Sequence, residues 1–232
     1  MSIILASKSP RRQELLKLLG LEFTVHTADI DEHMDPSLPP EQEVARVSAE
    51  KARAVAKDCA EEDIIISADT IVVIDGQILG KPKSEADAIR MLNLLSGRRH
   101  EVMTGLTVLS GGQSQTQVVR TGIEFRRLTD REIDAYVATG EPMDKAGAYG
   151  IQGRASIFVS HLDGDYFCVM GLPVCTLTQM LRERGVTPTL VILRVGAQEA
   201  SRSYERAAKK ACTAAGVESF TIELPENAHR DA

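Results

Sequence analysis

Ile64-Ile65-Ile66-Ser67-Ala68-Asp69-Thr70-Ile71-Val72-Val73-Ile74-Asp75-Gly76, residues 64–76, decides the reading of this chain. The apolar runs Ile64–Ile66 and Ile71–Ile74 predict two buried strands around Ala68-Asp69-Thr70, and Asp75-Gly76 supplies a tight turn. A carboxylate among so many branched apolar side chains is costly to bury unless it is paired or binds a metal. The plainer alternative is a turn aspartate between two strands. Upstream, Glu41 to Lys57 predicts a helix, preceded by an acidic, proline-rich loop from Asp29 to Pro40. Phe23 to Thr27 reads as a strand. Ile3 to Ala6 reads as a short buried strand feeding a helix with Ser9 as N-cap, Pro10 at its first position, Leu15, Leu16, Leu18 and Leu19 on its buried face and Gly20 at its end.

Downstream, Ser84 caps a helix with Glu85 and Asp87 in its first turn, ending near Ser96-Gly97. Val102 to Leu109 and Gln117 to Phe125 bracket Gly111-Gly112 as a long hairpin. Thr129 caps a helix to about Thr139, Lys145 to Gly153 is a glycine-rich loop, Ile157 to Val159 a strand, and Leu172 to Arg184 a closing helix. Alternating strands and helices give an α/β class. After Gly185 a new unit begins: strand Thr189–Val195, helix Gln198–Ala215, strand Ser219–Leu224. The expected division is a domain over 1–187 and a tail over 188–232.

Composition narrows the function. Of 232 residues 33 are acidic and 27 basic, a net charge of -6, whereas a duplex-binding protein shows a basic domain or stripe. Nucleic acid is therefore not the expected partner, and a 4% share of aromatics, with no Trp, offers little base stacking. Hydrophobic residues at 43% and charged ones at 26% exclude collagen, coiled coil and wholesale disorder. Cys59, Cys168, Cys175 and Cys212 form no CxxC pair, so free thiols in a reducing cytosol are expected. The N-terminus lacks a signal peptide's pattern, and nowhere do 18 apolar residues run together. A soluble, cytoplasmic protein without a membrane span is expected.

Four clusters carry chemistry. Ser7-Lys8-Ser9-Pro10-Arg11-Arg12 sets hydroxyls and guanidiniums at a strand-to-helix junction, where unpaired N–H groups and the helix dipole suit phosphate. The alternative is an ordinary N-cap followed by solvated arginines. Glu50-Lys51 lies on a helix whose stripe Val44, Val47, Lys51, Val55 is otherwise apolar, so Lys51 either snorkels or points its ammonium at an anion. Asp69 is joined a dozen residues later by Lys81. In Asp144 to Gly153, three glycines let backbone approach a ligand, with Tyr149 and Gln152 available to stack on and bond a base edge. The five histidines show no ligand spacing, and no P-loop, G-x-G-x-x-G or G-x-S-x-G motif occurs.

Taken in order, these blocks carry a resemblance. Ala6-Ser7-x-Ser9-Pro10-Arg11-Arg12, Glu50-Lys51-Ala52, Ala68-Asp69-Thr70, Gly80-Lys81-Pro82, Ser96-Gly97-x-x-His100-x-Val102-x-Thr104-Gly105, Asp144 to Gly153 and Gly164-Asp165-Tyr166 with Gly171-Leu172-Pro173 are in register. Over residues 3 to about 185 the chain resembles the Maf family of nucleotide pyrophosphatases. The resemblance implies an inosine triphosphate pyrophosphatase-like fold: a long mixed sheet, flanking helices and a cleft between two lobes. It implies hydrolysis of a nucleoside triphosphate between the α and β phosphates, and its late loop is similar to that of the members acting on dTTP and UTP. It also implies Asp69 as catalytic base, Arg11, Thr70 and Gln152 as selectors of the pyrimidine, and a homodimer. On this reading Ser7, Ser9, Arg11, Arg12, Lys51 and Lys81 hold the triphosphate. A divalent cation, Mg²⁺ or Mn²⁺, sits on Asp69 and Glu50, hard oxygen ligands suited to it; whether Asp69 is base or mainly metal ligand stays open. The other readings are a non-catalytic regulator of cell division binding nucleic acid or protein, and a house-cleaning enzyme for modified nucleotides.

The tail is similar to something else. Thr189 to Gly196, Ala200-Ser201-x-Ser203-Tyr204, Lys210-Ala211-Cys212 and Leu224-Pro225-Glu226 resemble the opening of methylenetetrahydrofolate dehydrogenase/cyclohydrolase. The lysine which that family carries four residues after the tyrosine falls on Ala208, so the tail is assigned no folate activity.

Overall fold

The computed structural model describes residues 1–30, 35, 37–186, 189–195, 199–214 and 218–224. Part of the acidic loop, the expected boundary at 187 and the terminal residues lie outside the described residues. One seven-stranded sheet organises residues 3–163. In chain order the elements are β1 (Ile3–Leu5), α1 (Pro10–Lys17), β2 (Thr24–Val25), α2 (Pro40–Ala56), β3 (Ile64–Ile74), β4 (Gln77–Leu79), α3 (Glu85–Leu95), β5 (Arg99–Ser110), β6 (Gln113–Phe125), α4 (Asp130–Val137), β7 (Val159–Asp163), α5 (Tyr166–Met170) and α6 (Val174–Arg182). Strands β2, β1 and β3 run parallel, whereas β5, β6 and β7 follow antiparallel, so the sheet is mixed. A separate parallel pair, β8 (Thr189–Val195) and β9 (Glu218–Leu224), is joined through α7 (Glu199–Ala214), as the tail's pattern predicts.

The two strands expected around Ala68-Asp69-Thr70 are one. β3 runs unbroken from Ile64 to Ile74 because β5 pairs with it continuously from Ile65 to Val73. A buried aspartate does not end the strand when β5 pairs along one whole edge and a helix supplies a counter-charge. Asp75 (φ 51) and Gly76 (φ 74) then turn the chain left-handed into β4, as the dipeptide predicts.

Two further expectations are corrected. Ile157 to Val159 is not a strand: residues Arg154–Phe158 form a 3₁₀ turn, and β7 starts only at Val159. The turn drops Phe158 into the core, 5.2 Å from the Tyr136 ring and 6.0 Å from Phe125, and leaves Ile157 exposed. The closing helix starts two residues later than expected, at Val174, and a separate short helix, α5, precedes it. Gly171, at φ 103, ends α5, and Pro173 precedes the first residue of α6.

Two apolar clusters carry most of the burial. One gathers α3, α4 and the aromatic group Phe125, Tyr136, Tyr149 and Phe158. The other packs α1 and α6 on β1 and β3 through Leu5, Leu16, Ile66, Leu106, Leu177 and Leu181. Each fully buried Leu, Ile or Phe contributes about 1.5–3 kcal/mol. Ile151, in the glycine-rich loop, packs against both clusters. Capping is local: Ser84 accepts from the Asp87 N–H, and Thr129 with Glu132 forms a complete capping box.

Candidate active site

One edge of β3 is interrupted. β1 pairs with it only at Ile64–Ile66 and β4 only at Val72–Ile74, while β5 occupies the opposite edge throughout. Between those pairings, residues 67–71 have no strand beside them on that edge. β1 stops there because its chain turns through Ser7–Ser9 into α1, whose first residue, Pro10, has no N–H to donate. A cleft of about 910 Å³ opens at this gap, and side chains from both faces of β3 reach it. Asp69 comes from one face and Thr70 from the other. Val72 and Tyr149 of one apolar cluster and Met170 of the second also line it, so the cleft lies between two lobes.

Asp69 is 8% exposed and faces α2. The Ser48 hydroxyl donates to the Ser67 carbonyl (3.4 Å) and the Ser67 hydroxyl to the Ser48 carbonyl (2.6 Å), which locks helix to strand. Lys51, one turn beyond Ser48, and Asp69, two residues beyond Ser67, therefore meet: Lys51 Nζ donates to Asp69 Oδ1 at 2.7 Å. Both side chains are largely buried, 14% and 12% exposed. Gly105 of β5 lies opposite Asp69 and permits this approach, because a Cβ there would stand 2.4 Å from the Val44 carbonyl oxygen. The lysine in the apolar stripe thus has its anion, and does not merely snorkel.

Thr70 organises the other face. Thr104, fully buried, donates its hydroxyl proton to the Cys168 carbonyl at 2.8 Å. It can only accept in its 2.9 Å bond with Thr70, so the Thr70 proton goes to Thr104. The Thr70 oxygen in turn accepts from Arg12 Nη2 at 3.2 Å. Arg12 also donates Nε to the Gly171 carbonyl (2.8 Å) and Nη1 to Ser7 Oγ (3.3 Å). Its guanidinium is held from three directions. Ser7, buried, also accepts the Ser9 N–H at 3.2 Å. Ser9 has an N-cap's extended backbone but makes no side-chain cap bond.

The remaining residues singled out from sequence line the rim. Arg11 stands 3.9 Å from Asp144, and Lys81 and Gln152 are exposed to the cleft. Counting Lys8 and Lys145, six cations line it against four carboxylates, Asp29, Asp69, Glu141 and Asp144. Such a surplus suits a polyanion.

Two residues stand elsewhere than the sequence suggested. Glu50 is not in the cleft: its carboxylate takes Arg46 Nη1 at 2.7 Å on the flank of α2, since one residue along a helix turns a side chain about 100° away from Lys51. The structure therefore does not bring Glu50 beside Asp69 in the cleft, and no group of three or more His, Cys, Asp or Glu able to hold a metal occurs among the described residues. Tyr149 is not a platform for a base. Its ring is buried edge-on to Phe125 at 4.8 Å and its hydroxyl meets His100 Nε2 at 2.8 Å, because the left-handed Gly147 turn (φ 68) directs the chain inward.

Sequence reasoning gave Lys145 no role of its own within the Asp144 to Gly153 cluster; its ammonium reaches the Glu141 carbonyl (2.7 Å) and Asp144 (2.6 Å) at the cleft wall. Sequence reasoning missed Glu141 itself. The signal was present in Glu141 to Gly153, a run mixing charges with glycine, but nothing in the spacing says that the chain doubles back.

No helix among the described residues is long and apolar enough to cross a membrane. Two solved structures are similar at low identity: the Staphylococcus aureus Ham1 protein (TM-score 0.45, 16% identity, 79% of this chain and all of that one) and a Mycobacterium abscessus nucleoside-triphosphatase / dITP/XTP pyrophosphatase (TM-score 0.36, 13%, 55% and 76%). Residues 174–232 match the model of the tetrahydrofolate dehydrogenase/cyclohydrolase catalytic domain. A Bacillus pumilus protein named dTTP/UTP pyrophosphatase is 45% identical over 186 residues, 80% of this chain and 98% of its own length. A Moorella thermoacetica protein of the same name is 50% identical, covering 79% and 95%. Residues 2–184 match the family model described as Maf-like protein, and with these relatives covered almost end to end the chain belongs to that family.

Proposed function

We propose that this protein is a nucleoside triphosphate pyrophosphatase that hydrolyses dTTP and UTP to the monophosphate and pyrophosphate. The observation that carries the reading is the Asp69 carboxylate, fixed at 2.7 Å by Lys51 on the floor of a cleft whose rim is rich in cations. The names of relatives at 45% and 50% identity support it. In the reaction, water attacks the α-phosphorus, the bond to the α–β bridging oxygen breaks, and pyrophosphate leaves with that oxygen. Asp69 takes the proton from the attacking water, a general-base role that fits one fixed carboxylate. Arg12, held by Thr70, Ser7 and Gly171, and Lys51 stabilise charge that develops on the phosphate oxygens. Ser7, Ser9, Arg11 and Lys81 complete the triphosphate contacts, and Gln152, Thr70 and Arg11 read the pyrimidine.

A divalent ion, Mg²⁺ or Mn²⁺, belongs to the proposal: Asp69 would be the one carboxylate of the cleft floor to hold it, as one carboxylate beside substrate phosphates suits Mg²⁺. When bound it supplies charge neutralisation to the phosphates. We also place the activity in residues 1–187, the protein in the cytoplasm and, by family resemblance, in a homodimer. The described cysteines are free thiols, in keeping with that compartment.

The test is turnover of dTTP, UTP, CTP, GTP and ATP with Mg²⁺ or Mn²⁺ or with chelator, scoring pyrophosphate against orthophosphate, beside Asp69→Asn and a chain ending at 187. Pyrophosphate from dTTP and UTP, abolished in Asp69→Asn, is expected. An Asp69→Asn protein with full turnover removes the base, and a folded chain that yields no pyrophosphate from any nucleotide removes the enzyme.

A further inference from the structure

The loop that presents Gln152 is closed at both ends by one pair of side chains that the chemistry above does not use. Gly150–Gly153 is a tight turn, with the Gly153 N–H donating to the Gly150 carbonyl at 3.0 Å and Ile151 and Gln152 at its corners. The Gly150 N–H donates to the Tyr136 hydroxyl oxygen at 3.3 Å. The Tyr136 hydroxyl donates to Glu141 Oε1 at 3.1 Å. The Arg154 N–H, just past the turn, donates to the same carboxylate, 3.1 Å from Oε1 and 3.2 Å from Oε2. The circuit therefore runs from one end of the turn, through a phenol and a carboxylate, to the other end.

Both partners are anchored. The Tyr136 ring is buried, edge-on to Phe158 at 5.2 Å, and lies on α4, a helix with a complete capping box. Burial and the nearby Glu141 carboxylate both push the Tyr136 phenol up, so it keeps its proton for donation. Glu141 lies one residue past Gly140, whose φ of 73 ends the helical segment and aims the chain back beneath the turn.

Two glycines let the turn sit this close to its supports. A Cβ at Gly153 would stand 2.0 Å from Glu141 Oε1, and one at Gly150 would stand 2.7 Å from Lys145 Cε. The turn therefore lies directly on the carboxylate and on the lysine stem. Ile151, packed against both apolar clusters, gives it a hydrophobic foot.

We propose that Tyr136 and Glu141 are positioning residues for base selection: together they clamp the Gly150–Arg154 loop so that Gln152 is held in one place at the mouth of the cleft. This inference rests on the function proposed above. Discrimination between bases by hydrogen bonding requires a rigid partner, because a mobile amide bonds the wrong base edge as readily as the right one. Without the clamp the loop loses its two end bonds, and the chemistry of the triphosphate, at the other side of the cleft, keeps its residues.

The experiment compares wild type with Tyr136→Phe, Glu141→Leu and Gly153→Ala. Two quantities are read on the full chain: kcat/KM for dTTP and UTP against CTP, and amide hydrogen exchange at Gly150 and Arg154 followed by NMR. We expect the preference for dTTP and UTP over CTP to fall about tenfold in each variant, through lost kcat/KM for the favoured bases. Exchange at both amides should quicken at least tenfold while amides in β3 and β5 keep their protection. The double variant Tyr136→Phe with Glu141→Leu should be no worse than either alone, because the two act as one unit. A merely structural role would lower all nucleotides alike and leave the ratio untouched. Faster loop exchange with an unchanged ratio, or unchanged exchange in Tyr136→Phe and Glu141→Leu, overturns the proposal. A wild-type chain that shows no preference for dTTP and UTP overturns the functional reading and the selection role with it, and the exchange data then judge the clamp by itself.

Discussion

His100 makes folding sensitive to acid, and the size of the effect follows from its surroundings. The residue sits on β5 with 3% of its surface exposed, its ring edge-on to Phe125 and Tyr149 and its Nε2 on the Tyr149 hydroxyl. Burial disfavours the imidazolium and pushes its pKa down to about 4, against the ordinary 6.5. The unfolded chain therefore takes up the proton first as the pH falls. Stability is complete above about pH 7, declines through the window from 6.5 towards 4, and loses nothing further from this group below it. At about 1.4 kcal/mol per pH unit the full gap is roughly 3 kcal/mol, of which about 2.5 kcal/mol is gone by pH 4.5. The assay is urea unfolding followed by circular dichroism at several pH values from 7.5 to 4.5, on wild type and His100→Phe. The variant keeps an aromatic ring but strands the Tyr149 hydroxyl, a cost of about 1–3 kcal/mol at every pH. Carboxylates lower both proteins alike in acid. The expected result is a gap between wild type and variant that narrows by about 2.5 kcal/mol as the pH falls. Two curves that stay parallel across this range would refute the reasoning.

Three further outcomes are expected. Gly105→Ala places a methyl 2.4 Å from the Val44 carbonyl and 2.8 Å from its carbon, both backbone. Helix α2 must shift, so about 2–3 kcal/mol of stability should be lost in urea titrations, and turnover should drop as Lys51 moves off Asp69. Lys51→Met leaves Asp69 buried without this partner; it should cost about 2–4 kcal/mol on unfolding and about a hundredfold in kcat. Retention of wild-type kcat would exclude Lys51 from charge stabilisation. Thr104→Val removes the acceptor of the Thr70 proton and loosens Arg12; steady-state kinetics should show KM raised about tenfold, equivalent to roughly 1.4 kcal/mol, with Thr104→Ser restoring it.

Much of the local structure was legible in the residues. Pro10 after an extended Ser9, Ser84 before Glu85 and Asp87, Thr129 with Glu132, and Asp75-Gly76 act within one turn of chain, and the structure has its helix starts and hairpin where they predict. The βαβ pattern of the tail is equally local. The chemistry-bearing residues Ser7, Arg11, Arg12, Lys51, Asp69, Lys81 and Gln152 were also marked by charge and motif, and all line one cleft. Three-dimensional proximity was not legible. Asp69 reads as a buried carboxylate in want of a partner or as a turn residue until β5 and Lys51 are beside it, and Glu50 reads as a companion of Lys51 until the helix rotates it towards Arg46. Tyr149 reads as a stacking ring until Gly147 turns it into the aromatic core. The Tyr136–Glu141 clamp had no sequence signature, because its bonds join residues 136, 141, 150 and 154 through a reversal that only packing on Phe158 and Ile151 enforces. Caps and turns are settled by a residue's own backbone and its near neighbours, so sequence by itself determined them. The open edge of β3, the direction of the Thr70–Thr104 bond and the partner of each charge depend on where distant strands stop and which faces meet. Only the tertiary structure decided those.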